Sequence, residues 1–185
     1  MKKLLTLLLI VGLGITTINA QDYQNAVGIK AGGGTLGTAG LNFKTFLTSK
    51  DAADLTLSFG NYGSSGSYYS FTGLYEKHQN AFDVDALNWY YGAGASVSYV
   101  TVTVTTPSIV VDNVVVSGTT ISSSSFGFGV LGVVGIEYTI PDIPVNIAFD
   151  LEPGLFYGEY HSYNNNNNSK LYFGIQGAIA IRYAF

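Results

Sequence analysis

Apolar and polar side chains alternate along almost the whole of this chain. In the closing stretch, KLYFGIQGAIAIRYAF, the odd positions Leu171, Phe173, Ile175, Ile179, Ile181, Tyr183 and Phe185 are apolar, interrupted only by Gly177. The even positions, Lys170, Tyr172, Gly174, Gln176, Ala178, Ala180, Arg182 and Ala184, are small or polar. A period of two puts successive side chains on opposite faces, so this is a strand. It runs well past the roughly 5–6 residues usual in soluble sheets.

Seven more segments repeat the pattern. Residues 24–32 set Val27, Ile29 and Ala31 against Ala26, Gly28 and Lys30, and 38–46 set Ala39, Leu41 and Phe43 against Gly40, Asn42 and Lys44. Residues 54–62 and 68–77 follow, with Leu55, Leu57, Phe59, Tyr69, Phe71 and Tyr75 on the apolar face and Thr56, Ser58, Tyr68, Ser70, Thr72 and Glu76 opposite. A strand over 87–104 opens on Trp89-Tyr90-Tyr91. Strands over 123–139 and 145–160 then place Phe126, Phe128, Ile136, Ile147, Phe149 and Leu155 away from Glu137, Asn146, Asp150 and Glu152.

Turn chemistry separates the segments: Gly32-Gly33-Gly34, Thr48-Ser49-Lys50-Asp51, Gly63 to Ser67, a connection over 78–86, and Ile140 to Pro144. The longest connection, 105–120, holds two β-branched runs about Asp112-Asn113, which reads as a small hairpin prolonging its strands. Residues 161–169, with five consecutive asparagines, form a soluble loop. Eight strands put both ends of the barrel on one side, as in bacterial single-chain barrels, with short turns at one rim and long loops at the other.

Composition decides which way round the sheet faces. Gly (23), Tyr (14) and Phe (11) are abundant while charged residues make up only 11%. The polar-face positions are rich in glycine, alanine and serine, too small for the wet exterior of a soluble sandwich or lipocalin-like barrel. The expected fold is therefore an all-β, eight-stranded antiparallel up-and-down transmembrane β-barrel over residues 21–185, apolar face outward, closed because lipid cannot satisfy an open sheet edge. Residues 1–20 read as a secretory signal peptide: Lys2 and Lys3, an apolar stretch broken by Gly12 and Gly14, then Ile18-Asn19-Ala20. Its removal takes the formal charge from −4 to −6, which argues against nucleic acid as a partner. The absence of cysteine excludes disulfides and cysteine–metal sites.

The candidate chemistry lies on the inner face. Parity sends Lys30, Lys44 and Arg182 inward with Glu76, Glu137, Asp150 and Glu152, three cations against four anions in an interior just wide enough for side chains. Unpaired, each charge would cost several kcal/mol, so the expectation is a mutually paired polar core that seals the lumen. A small pore for ions or small solutes is the alternative. No catalytic residue, cofactor or metal is expected. Gly32 to Gly37 reads as a turn because no helix follows it. His78 and His161 fall at opposite ends of this layout, and His161 beside Ser162 is poorly placed for proton transfer in a lipid-modifying enzyme.

The leader, the eight segments, Gly135-Ile136-Glu137-Tyr138 before Asp142-Ile143-Pro144-Val145-Asn146, and the ending Arg182-Tyr183-Ala184-Phe185 together resemble the small outer-membrane β-barrel proteins of Gram-negative bacteria. The Bacteroidota form is the most similar, with an architecture like OmpX and the OmpA barrel. The resemblance implies a place in the cell outer membrane, contact with outer-membrane lipid, a monomer, and a structural or surface-interaction role. It also implies that Ile179, Ile181, Tyr183 and Phe185 form the signal read by the barrel-assembly machinery during insertion. Unlike the OmpA case, no wall-binding domain is implied.

Overall fold

The computed structural model describes residues 23–33, 38–62, 66–106, 109–111, 114–116, 118–159 and 169–185. The leader at 1–20, the turn at 34–37 and the loop at 160–168, with His161 and Ser162, lie outside the described residues. The described residues form ten strands: β1 (Asn25–Gly33), β2 (Thr38–Phe46), β3 (Asp51–Tyr62), β4 (Gly66–Asn80), β5 (Leu87–Thr105), β6 (Ile109–Val111), β7 (Val114–Val116), β8 (Thr120–Thr139), β9 (Val145–Glu159) and β10 (Ser169–Ala184). Eight close into an antiparallel barrel in the order β1-β10-β9-β8-β5-β4-β3-β2, each hydrogen-bonded to its neighbours. The remaining two, β6 and β7, make a separate ribbon with Ile109 opposite Val116, the hairpin that the β-branched runs suggested.

The seam is sealed by β10 against β1, from Ala26 opposite Ala184 to Gly33 opposite Gly177. Beyond the last strand, Phe185 and Asn25 exchange backbone hydrogen bonds of 2.7 and 2.9 Å. The rim is uneven. The β5–β8 pairing continues to Thr105 opposite Thr120, whereas β4 stops at Gly66 opposite Val102 and β9 at Gly127 opposite Gly158. The β8–β9 ladder also skips two pairings between Leu131–Gly154 and Val134–Leu151, where Pro153 has no N–H to give.

Several boundaries differ from the sequence reading: β3 begins at Asp51 rather than 54, β8 at Thr120 rather than 123, and β4 runs from Gly66 to Asn80 rather than over 68–77, taking in His78. The alternation is silent over Glu76 to Asn80 because no large apolar residue marks the outer face there. The ladder nevertheless continues, with His78 opposite Tyr90 and Asn80 opposite Asn88.

Polarity is inverted relative to a water-soluble barrel. The largest fully buried side chains are Arg182, Tyr90, Lys44, Glu76, Glu137, Asn42, Asn146, Asp54 and Asp150. The outer face is made of exposed Ile29, Leu57, Phe71, Phe128, Phe149 and Ile181 and their neighbours. Among the described residues no helix is long and apolar enough to cross a membrane, which does not bear on a barrel that crosses with strands.

Two inward glycines let β5 lie close against β4. A Cβ on Gly92 would strike the Tyr75 carbonyl, and one on Gly94 the Gly73 carbonyl and the Leu74 backbone. Main chain cannot rotate aside as a side chain can. Gly94→Ala is therefore expected to destabilise the refolded barrel by roughly 1–3 kcal/mol, seen as a lower urea midpoint. An unchanged midpoint would show that the two strands can part at no cost.

Candidate functional site

The charged side chains form two groups, one above the other along the barrel axis. Arg182 on β10 organises the group nearer the short turns. Its Nη2 meets Asp54 Oδ2 at 2.8 Å, its Nη1 donates to Asn146 Oδ1 at 3.0 Å, and its Nε donates to Asn42 Oδ1. Asn42 passes the contact on, donating from Nδ2 to Asp54 Oδ1 at 2.7 Å and to Thr56 Oγ1 at 2.9 Å. One guanidinium thus ties β10 to β2, β3 and β9 with its donors spread in the fixed fork that suits several acceptors at once.

Lys44 on β2 extends the same group. Its Nζ lies 2.7 Å from Glu76 Oε2 and 2.8 Å from Glu137 Oε2, and 4.3 Å from the centre of the Tyr90 ring. Arg182 Nη1 comes within 3.7 Å of the same Glu137 oxygen. Tyr23, just ahead of β1, donates its hydroxyl to Glu137 Oε1 at 3.1 Å. His78 sits between the two glutamates, with Nε2 3.2 Å from Glu76 Oε2 and Nδ1 3.5 Å from Glu137 Oε1.

The second group is smaller. Lys30 Nζ is 2.6 Å from Asp150 Oδ2 and 2.7 Å from Glu152 Oε1, and the Tyr90 hydroxyl donates to the other Asp150 oxygen. Tyr90 is therefore the link between groups, its ring under Lys44 and its hydroxyl on Asp150. Beside it Leu74, Leu131 and Val133 form a buried apolar cluster, with Phe156 packed against them. The ring of Phe156 stacks on Tyr172 at 5.5 Å.

This septum divides the interior. On the turn side lies a vestibule of about 420 Å³ lined by Tyr23, Phe46, His78, Asn88, Glu137 and Thr139, among others. On the loop side a cavity of about 30 Å³ is walled by Lys30, Glu152, Tyr68 and the hydroxyls of Thr56, Ser58, Ser70, Thr72 and Ser96. That is room for roughly one or two water molecules. Among the described residues the two spaces share no lining residue.

All seven charged residues singled out by parity, Lys30, Lys44, Glu76, Glu137, Asp150, Glu152 and Arg182, are buried inside the barrel and in contact with an opposite charge. The anion count needs correcting, because Asp54 is a fifth inward carboxylate and the first partner of Arg182. Asp54 has even parity in β3; with the strand begun at 54 it fell on a boundary and went unread. Asn42 and Asn146 were placed inward without being connected to anything. His78 and Tyr23 left no usable signal, one lying where the alternation is silent and the other ahead of the first strand.

The four residues of the terminal motif are placed differently. Ile179, Ile181 and Tyr183 are exposed on the outer face, and the half-buried Phe185 stacks its ring on Tyr183 at 6.3 Å. Among the described residues no group of His, Asp and Glu is arranged to hold a metal ion.

No protein-family model matches the chain, and no curated protein matches it. Two solved structures are similar in form. The crystal structure of Neisserial surface protein A (NspA) is 13% identical, with a TM-score of 0.46, over 87% of this chain and 94% of that one. The N-terminal β-barrel domain of Pseudomonas aeruginosa OprF is 17% identical, with a TM-score of 0.41, over 88% of this chain and all of the other. The assignment of the fold rests on the strand pairing itself.

Proposed function

We propose that this chain is an outer-membrane β-barrel protein with a sealed lumen, whose role is structural or one of surface interaction rather than catalysis. The observation that carries the reading is the inverted polarity: fully buried Arg182, Lys44 and Glu76 inside, and whole rows of exposed Leu, Ile and Phe outside. Water would penalise such an exterior, whereas a bilayer accepts it, provided that every backbone group is paired as in a closed barrel. The barrel strands, from 9 to 20 residues, mostly meet or exceed the roughly 9–11 residues that a tilted strand needs to cross. Trp89, Tyr91, Tyr138 and Tyr183 lie outward near the turn-side ends of their strands, where an interfacial aromatic girdle belongs.

In this reading the short turns face the periplasm, the leader directs export, and Ile179, Ile181, Tyr183 and Phe185 are presented to the assembly machinery before the seam closes. The protein works as a monomer, and residues 105–120 and 161–169 form its outer contact surface. The experiment is two-part. The detergent-refolded barrel should migrate faster than its boiled form on a gel, and it should carry no stable current across a planar bilayer. A steady ohmic current would replace the sealed barrel with the pore, and a chain freely soluble without detergent would end the membrane assignment.

A further inference from the structure

The connection from β4 to β5 holds a phenyl ring in water on a backbone that phenylalanine disfavours. Val84 N–H donates to the Ala81 carbonyl at 3.0 Å, closing a turn whose two central residues, Phe82 and Asp83, have φ of 57° and 54°. Two successive left-handed residues mark a type I′ turn, where asparagine and glycine are at home and a bulky side chain is strained. Ala86 follows at φ 64°. The chain has 23 glycines and places none in this connection. Nor is the turn loose. Ala81 N–H donates to Leu87 O at 2.9 Å, the Asn80 amide to Val84 O at 2.9 Å, and Thr139 N–H to Ala86 O at 3.0 Å. On this fixed support Phe82 is 87% exposed, more than any other large apolar side chain described, with the exposed Val84 two residues on.

Thr139 joins this turn to the next one round the rim, residues 140–144. That turn carries exposed Ile143 and Asp142, the latter again left-handed at φ 67°. Asp83, Asp85 and Asp142 are all exposed, and neither turn has a lysine or arginine. We propose that these two turns are a docking surface for a soluble protein that presents an apolar pocket rimmed by lysine or arginine. Burying Phe82 takes the largest apolar exposure on this rim out of water. The three carboxylates meet the basic rim, steering the approach and fixing the orientation. Other occupants fit less well. A membrane surface of net negative charge is repelled by the carboxylates, and a second copy would oppose like charges. Lys50 and Lys77 lie outside both turns, Lys77 opposite Asp51 in the β3–β4 ladder. The inference goes beyond the sealed-barrel reading and rests on it only for the compartment that the turns face.

Photo-cross-linking in the cell of origin tests it, with benzoylphenylalanine in place of Phe82 and, as a control, of Ser49 on the β2–β3 turn. The probe at 82 should give one discrete protein adduct that the probe at 49 does not. Reversing the rim with Asp83→Lys and Asp85→Lys should reduce that adduct roughly tenfold or more, since like charges then meet across the contact. Phe82→Asn, a residue that a type I′ turn prefers, should raise the urea midpoint of the refolded barrel, because the ring is there for a contact and not for stability. Heat-modifiable migration shows that each variant is folded, so a lost adduct is a lost surface and not a lost barrel. An adduct to lipid, no adduct specific to position 82, an adduct that survives charge reversal, or a midpoint that does not rise would overturn the proposal.

Discussion

Arg182→Met is expected to cost the refolded barrel about 3–5 kcal/mol, read as a marked fall in its urea midpoint in lipid vesicles. The size comes from what is left behind. The side chain is 1% exposed and meets Asp54, Asn42 and Asn146, with Glu137 close by. Methionine fills much of the volume but offers no donor, so a fully buried Asp54 would keep hydrogen bonds only from the Asn42 amide and the Thr56 hydroxyl, with Lys30 and Lys44 acting on it through space. Restoring balance by Arg182→Met with Asp54→Asn should recover most of the loss, because the cost lies in the unpaired carboxylate. A parent-like midpoint for the single variant would mean that water reaches this part of the lumen.

Tyr90→Ala should act on two properties together. Removing a fully buried ring costs about 3–5 kcal/mol in a well-packed interior. Here it also removes the face beneath Lys44, the stacking partner of His78 and the hydroxyl on Asp150. The ring stands between the vestibule and the upper cavity, so the variant should pass ions in a planar bilayer where the parent does not. A folded but silent Tyr90→Ala barrel would assign the seal to Leu74, Leu131, Val133 and Phe156 alone.

The fold was legible because its main constraint is binary. An apolar outside and a polar inside force a period of two, so parity alone placed Lys30, Lys44, Glu76, Glu137, Asp150, Glu152 and Arg182 on one face. Which of them would meet was not legible. Partnership depends on stagger between strands and on depth, and Arg182 finds Asp54 across 128 positions of sequence. Inward apolar residues were missed for a related reason: Leu131 and Val133 lie in the run VLGVV, where both faces are apolar and parity carries no information. His78 was missed because a polar strand end looks like a loop until its ladder partners are known.

Arg182 also has a bearing on how the barrel forms. It sits on the last strand, beside the seam with β1, yet its acceptors belong to β2, β3 and β9. Until the first and last strands come together, Asp54 and Glu137 line a groove still open to solvent, where their charges cost little. Closing the sheet dries the groove and delivers the guanidinium in one motion. A half-zipped cylinder with the ions already desolvated is thereby disfavoured, and closure of the sheet is expected to be all-or-none, with the last strand as its latch.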